Sequence, residues 1–482
     1  MSMESGQVLE SGSLGSKATG TDRIVGEPLE LGASIPKALI EALLKAGGES
    51  VSLIPEPIRI KVAELLAEEK LPDESSELWR QTSLDLFPFD SLGAPSARVE
   101  VLPSILSAAD ATERGANASG ALALKSELPA GVEWVPCEAL STKDFQDLLL
   151  VFKNAYTEVQ HDAVSRLLLL CSRGGGVLRV RAGTKVTQPI CLSIRLPPTT
   201  GGATQAAFIA PTVAVIVERG ASCVLLEDLR VIQAGVNSEG QNRWITGGLV
   251  APRLEALVEE NAQAELLSVQ RLPAPCAYLG RHRFQLKRDA QLHTTHVALG
   301  AGVARVELEC SLIDTGARAD LYSLYLADGQ RHVDFHTTQA HRAPHCYSNL
   351  YCKGAVTDAA RSVYYGFIRV AEGAQKTDAY QKNRNLLLSE KARSDAIPNL
   401  EILANDVKCS HGASVGQVGA DELFYLMSRG INRTDAEQIL VQAFFEDVVA
   451  KVENPFAREY VDQVVGAAFG ARAEKWRRVR PT

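Results

Sequence analysis

From Gly176 onward the chain runs for more than two hundred residues without a long helical repeat, and this constrains its fold more than any other feature. Short β-type runs take over: Val177 to Ala182, Thr212 to Val217, Cys223 to Leu226, Leu257 to Val258 and Glu265 to Val269. Turns of one kind recur between such runs. A Gly, Asp, Asn or Lys is followed by Ala at Gly220-Ala221, Asn261-Ala262, Asp289-Ala290, Gly316-Ala317, Asp358-Ala359, Gly373-Ala374, Lys391-Ala392 and Gly412-Ala413. Ala262 and Ala290 are 28 residues apart, and Ala290 and Ala317 are 27 apart; the flanking intervals are 41 and 42, and later ones shorten to 15, 18 and 21. Irregular periods of this size fit the stacked coils of a β-solenoid. Each coil needs a small residue at its corner, where backbones approach closely and φ can turn positive. A β-sandwich with similar turns is the alternative.

Helical patterns flank this region. Leu39, Ile40, Leu43 and Leu44, then Ile60, Val62, Leu65 and Leu66, recur at three- and four-residue spacing, and Pro55 and Pro57 separate the two groups. Ser91 to Ala130 reads as loop. Thr142 to Cys171 reads as helix, with Thr142, Asp144 and Asp147 near its start and Arg173-Gly174-Gly175-Gly176 stopping it. Helix resumes at Asp421, and Thr434 with Glu437 reads as a capping box. The helix behind it carries Ile439, Leu440, Ala443, Phe444 and Val448 on one face; Pro455 ends it, and an amphipathic stretch follows from Phe456 to Phe469. The division expected is a disordered tail over 1–30, a mainly helical region over 31–172, a β core over 173–417 and a helical region over 418–482.

Hydrophobic residues make up 46% of the chain and aromatics only 6%, so the core is built from Val, Leu, Ile and Ala. The net charge of −8 argues against a dedicated nucleic-acid binder. The longest apolar runs, Leu148 to Phe152 and Leu167 to Cys171, are too short to span a bilayer. Nine scattered cysteines without a C-x-x-C describe neither a disulfide framework nor a zinc ribbon, and fit a reducing compartment. The first 26 residues lack the apolar block of a secretory signal and contain Glu4, Glu10 and Asp22, which transit peptides avoid.

Motifs for nucleotide and acyl chemistry are absent. There is no P-loop, no nucleophile elbow, and Gly300-Ala301-Gly302 fails the dinucleotide fingerprint because position 305 is Arg. A β-helix carbohydrate-active enzyme would need paired acids, and Asp314, Asp320 and Asp334 form no evident pair. Two groups could ligate a metal. His332, His336, His341 and His345 lie near Cys346 and Cys352, donors that suit Zn or Fe, though at no standard spacing. Cys409 and His411 are two residues apart, so on a strand they share a face, and Lys408 beside them could favour a thiolate.

The C-terminal third then carries a series of motifs in order: Gly354 to Gly366, Gln381 to Leu388, Pro398 to Ile402, Asn405 to Gly412, Leu423-Phe424-Tyr425 and Ser428 to Ile431. Together they resemble the SufB/SufD family of iron–sulfur cluster assembly scaffolds, over about Gly354 to Phe445. The Lys-Cys-Ser-His-Gly form is that of the SufD branch. SufB places a cysteine where Asn383 stands and glutamates around the histidine equivalent to His411, where this chain has Ser410 and Gly412.

The resemblance implies a right-handed parallel β-helix between helical terminal regions. It implies a non-catalytic scaffold that pairs with SufB through the β-helix and binds SufC, an ABC-type ATPase that holds the ATP, through its C-terminal helices. It further implies a transient iron–sulfur cluster or iron at the SufB interface, with His411 as ligand and Cys409 beside it, and a cysteine desulfurase acting indirectly; it carries no implication for flavin. Phe444 and Phe445 are the expected ATPase-docking residues, and the expected setting is a bacterial cytoplasm or a plastid stroma. A purely structural adaptor, in which Cys409 and His411 have no chemical role, is the alternative.

Overall fold

The computed structural model describes residues 33–35, 37–49, 52–73, 75–89, 100–105, 127–153, 162–196, 207–229, 232–236, 242–244 and 247–479. The tail expected over 1–30 lies outside them. The core is a parallel β-solenoid whose strands alternate between two sheets. One sheet stacks β1 (Gly175–Val180), β3 (Thr212–Val217), β5 (Arg253–Val258), β7 (Cys276–Leu286), β9 (Val303–Leu312), β11 (His332–His341), β13 (Arg361–Val370) and β15 (Arg393–Ile402). The other stacks β2 (Ile190–Leu196), β4 (Ser222–Leu229), β6 (Gln263–Gln270), β8 (Gln291–Ala298), β10 (Arg318–Ala327), β12 (Tyr347–Val356), β14 (Asp378–Leu387) and β16 (Lys408–Gln417). The solenoid expectation holds over the sandwich.

The corners show why the small residues recur. Gly220, Asn261, Asp289, Gly316 and Asp358 all have positive φ, between 54° and 75°. Ala221, Ala262, Ala290 and Ala317 behind four of them are wholly buried. The motif is less regular later: Lys376, not Gly373, has positive φ, and Gly412-Ala413 lies within β16 rather than at a corner.

Side-chain alternation builds the interior. In β9, Ala304, Val306, Leu308, Cys310 and Leu312 point into the coil, while Arg305, Glu307 and Glu309 point outward. The C-terminal coils are more polar inside. Tyr325 donates to Asn385 (2.6 Å) and Ser362 (3.1 Å). A Cβ on Gly354 would lie 2.1 Å from the Tyr325 ring, so this position must be glycine for the tyrosine to fit. His341 also points inward, and its Nε2 lies 2.7 Å from the Ser348 hydroxyl. Burial lowers its pKa from 6.5 to about 4. The unfolded chain therefore binds a proton that the folded chain excludes, and stability falls as pH drops from about 6.5 toward 4. The loss is expected to reach about 3 kcal/mol. His341→Gln should remove that part of the slope in denaturant titrations between pH 7 and 4.

Helices cover both outer faces. The first sheet is overlaid by α1 (Lys37–Glu49), α2 (Glu56–Glu68), α3 (Thr142–Val151) and α4 (Ala163–Leu170), with a shared apolar core that includes Leu43, Leu66, Val151, Leu170, Leu257 and Leu279. The helix expected over Thr142 to Cys171 is thus two. Ser141 and Asp144 form the capping box of α3, and Asp162 caps α4. Within the expected loop Ser91 to Ala130, Glu100–Ile105 is a strand antiparallel to β2; its Pro103 is tolerated because the strand lies at an edge. The second sheet is covered by α6 (Arg433–Val449) and α7 (Pro455–Val479), which follow α5 (Ala420–Met427). Asn432, rather than Thr434, caps α6, while Glu437 pairs with Arg433 at 2.8 Å. Among the described residues no helix is long and apolar enough to cross a membrane.

Candidate functional site at the open end of the solenoid

β15 and β16 are the last strands of their sheets, and no described strand pairs with their outer edges. β16 is exposed along almost its whole length. A parallel strand with a neighbour on one side only leaves a row of N–H and C=O groups ready for another chain. The open end also exposes side chains that would be interior in any middle coil: Ile402 is 40% and Val415 42% exposed.

Cys409 and His411 lie on the inward face of β16. His411 stands one rung beyond Gln381, and Cys409 one rung beyond Ala379. The two residues differ in setting. His411 is exposed, so its ring nitrogens meet solvent. Cys409 is half-buried against a small apolar cluster that includes Ala374, Ala379 and Ala404. Burial, with the nearby Asp378 carboxylate, pushes its thiol up. Lys408 alternates to the opposite face of the strand, so the expected aid to the thiolate is not provided. Beneath the pair, Gln381 and Asn383 are buried. Asn383 accepts from Asn385 at 2.7 Å and is registered on Cys352. Asn383 is thus part of an interior amide network.

The histidines of the 332–346 segment are not brought together. His332 and His336 face outward, His332 against the Thr82 hydroxyl (2.8 Å) and His336 against Asp334 (3.0 Å) and the Tyr365 ring. His341 faces inward and His345 sits in a turn with φ 60°. Among the described residues no three His, Cys, Asp or Glu side chains converge on a metal position. The nine cysteines are free thiols, and all but Cys409 are buried. A cleft of about 460 Å³ opens elsewhere, at the α6–α7 turn beside Glu265, His293 and Asp320, and β12 and β14 separate these strands from β16.

Phe445 is only 1% exposed. It packs on Phe469 (ring centroids 5.8 Å apart) inside the core that fastens α6 and α7 to the second sheet. Phe444 is partly buried on the same core. The expected exposed pair is thus part of the fold's own packing, because the apolar face of α6 meets the solenoid. The exposed apolar surface of the C-terminal region is instead on α5 and the outer side of α6: Phe424 (73%), Tyr425 (55%), Met427 and Ile439. The face read from periodicity is also displaced: Ile439 and Ala443 are exposed, and the face that meets the solenoid carries Ala436, Val441, Phe445, Val448 and Val449.

Comparison with known proteins gives the family of this chain. The family model for the SUF system FeS cluster assembly SufBD core domain matches residues 199–444, just over half of the chain. An iron-sulfur cluster assembly SufBD family protein of Synechocystis is 32% identical over 245 residues, covering 51% of this chain and 53% of its own length. The iron-sulfur cluster assembly protein SufD of Escherichia coli is 37% identical over 187 residues, 39% of this chain and 43% of that protein. The chloroplastic protein ABCI7 of Arabidopsis thaliana is 28% identical over 299 residues, 60% and 58% of the two chains. The chain spans about half the length of the curated relatives it matches.

Proposed function

Because the chain belongs to the SufB/SufD family of iron–sulfur cluster assembly proteins, we propose that it is a SufD-type, non-catalytic scaffold subunit, pairing with SufB through the open end of its solenoid and carrying the ATPase SufC on its C-terminal helices. The observation that carries this reading is the unpaired terminal coil. It offers two edge strands, one per sheet, and a partner that satisfies both must itself present two stacked strands about 10 Å apart. The end of a second β-solenoid does so. Iron and the nascent cluster are cargo at that junction. His411 supplies one imidazole, and SufB thiolates supply the remaining donors, with sulfur arriving through a cysteine desulfurase. The names of the bacterial and chloroplastic relatives support a bacterial cytoplasm or a plastid stroma as the setting.

The half-buried thiol of Cys409 favours a second reading, in which the chain organises SufB and SufC without ligating iron. Co-expression with SufB and SufC tests both readings. The chain should co-purify with each partner, and anaerobic iron analysis decides whether it ligates.

The ATPase surface is assigned to the exposed residues of α5, not to Phe444 and Phe445. Interface aromatics commonly contribute 2 kcal/mol or more each. Replacing Phe424 and Tyr425 together by Asp should therefore weaken SufC binding on the order of a thousandfold. SufB pairing and the melting temperature should be unchanged, since neither side chain is buried in this chain. Retained SufC binding would move the surface elsewhere.

A further inference from the structure

We infer that Pro398 holds the junction with SufB open directly across from His411, so that the cargo lies in a break between paired strands. The inference rests on the reading that SufB docks at the open end and that His411 binds iron, and it deepens that reading.

Along a parallel strand the backbone groups of successive residues turn to opposite neighbours. In β15 the Arg393 N–H donates to the Ala360 carbonyl, and just beyond the strand the Leu403 N–H donates to that of Val370. Odd-numbered residues of β15 therefore face β13, and the even-numbered ones, Ser394 to Ile402, face the free edge. In β16 the Lys408 N–H donates to the Thr377 carbonyl. Even-numbered residues of β16 therefore face β14, and the odd-numbered ones, Cys409 to Gln417, face the free edge.

The two edges differ at one position. β16 offers a donor at every residue that faces outward, whereas β15 lacks one at Pro398, which has no N–H. The proline removes no bond from the solenoid, since its nitrogen faces away from β13 and the pairing of the two strands runs unbroken through it. It acts on a partner strand instead. Its ring stands where the N–H would be, and a carbonyl brought there finds no donor. A partner can pair with β15 on either side of Pro398 but not at it.

Register places this gap. A Cβ on Gly366 would lie 1.8 Å from Gln381 Nε2, so these two residues face each other across the interior of the coil formed by β13 and β14. Pro398 is registered on Gly366 and His411 on Gln381, so they face each other across the terminal coil. The even-numbered side chains of β15 point inward, as the Ser394 hydroxyl shows by accepting from Ser362 at 2.9 Å. Paired strands sit about 4.8 Å apart and their inward side chains pack in contact, which leaves little room for a metal with its ligands. An unpaired stretch across from the imidazole supplies that room. Pairing along β16 and at both ends of β15 keeps the partner in register.

The test uses the complex with SufB and SufC, purified without oxygen. Pro398→Ala supplies the missing donor. The amide gained at position 398 should exchange on the order of tenfold more slowly in the complex than in the chain alone. SufB binding should not weaken, and iron content should fall on the order of fivefold or more. Pro398→Gly should do the same, since it supplies the donor without a side chain; iron retained by that variant would assign the effect to the side chain and overturn the gap. Ala396→Pro combined with Pro398→Ala moves the gap along the strand, away from His411, and should leave iron low. Wild-type iron in Pro398→Ala, an amide at 398 that SufB leaves unprotected, or iron restored by the double variant would overturn the gap. These outcomes count against the gap alone when the wild-type complex is loaded and His411→Ala depletes it. A wild-type chain that does not bind SufB, or full iron in His411→Ala, overturns the underlying reading and the gap with it.

Discussion

His411→Ala is expected to leave the complex with SufB and SufC assembled while lowering its iron content on the order of tenfold or more. The imidazole is exposed, so its loss removes no buried contact of this chain. Its strand keeps its register through ten pairs with β14 on one side, so the substitution leaves the backbone path of β16 unchanged. Sulfur delivery to SufB should be intact. Cys409→Ala should cost less iron, because that thiol is half-buried against the Ala374, Ala379 and Ala404 cluster and so less open to a partner's metal. The measurement is iron content and visible absorbance of the complex purified without oxygen. Full cluster loading in His411→Ala would remove the ligand role and favour the adaptor.

Asp334→Ala should destabilise the chain by about 3–5 kcal/mol at neutral pH. Asp334 has no exposed surface and sits in a ladder of buried charges beneath the N-terminal helices. Arg253 pairs with Glu255, Arg281 with Glu307 and Glu309, Arg283 with Glu255 and Glu309, and Arg305 with Glu307 and Asp334. The ladder also grips the covering chain: Arg305 donates to the Leu78 carbonyl at 2.9 Å, and Thr82 donates to Asp334 at 2.6 Å. Truncating Asp334 leaves a buried guanidinium short of a partner. Burial by itself would raise the Asp334 carboxyl, but the charges of His336 and Arg305 outweigh it and hold the group well below the usual range. The folded pKa is below the unfolded value near 4, so this contribution is complete above about pH 4 and is lost as pH falls below it. Urea unfolding should show a wide gap between wild type and Asp334→Ala at pH 7 that narrows at pH 3. An equal gap at both pH values would mean that packing, rather than charge, holds the site.

The solenoid was legible because its corners repeat a backbone demand. Asn261, Asp289 and Gly316 each answer the same left-handed turn, and a sequence can show that. The Cys409-His411 pair was legible as two donors on one strand face. Their unequal burial was not, since it depends on which coil is last. The outward residues of β9 carry no sequence signal for their burial. Arg305, Glu307 and Glu309 alternate as a solvent-facing strand would, yet helices from much earlier in the chain bury them. Phe445 shows the converse: it lies off the face that periodicity marked on α6, yet it is the aromatic that the solenoid buries.

A solenoid gains its stability coil by coil, each ordered by the neighbours it touches. The coil bearing His411 has one neighbour, so it frays first, and its amides should exchange fastest of the stack. Adding a partner coil turns an end into a middle. Ordering of the ligand and recruitment of the partner then become one cooperative event, and the donor is held firmly in place only when the molecule that supplies the other donors has arrived.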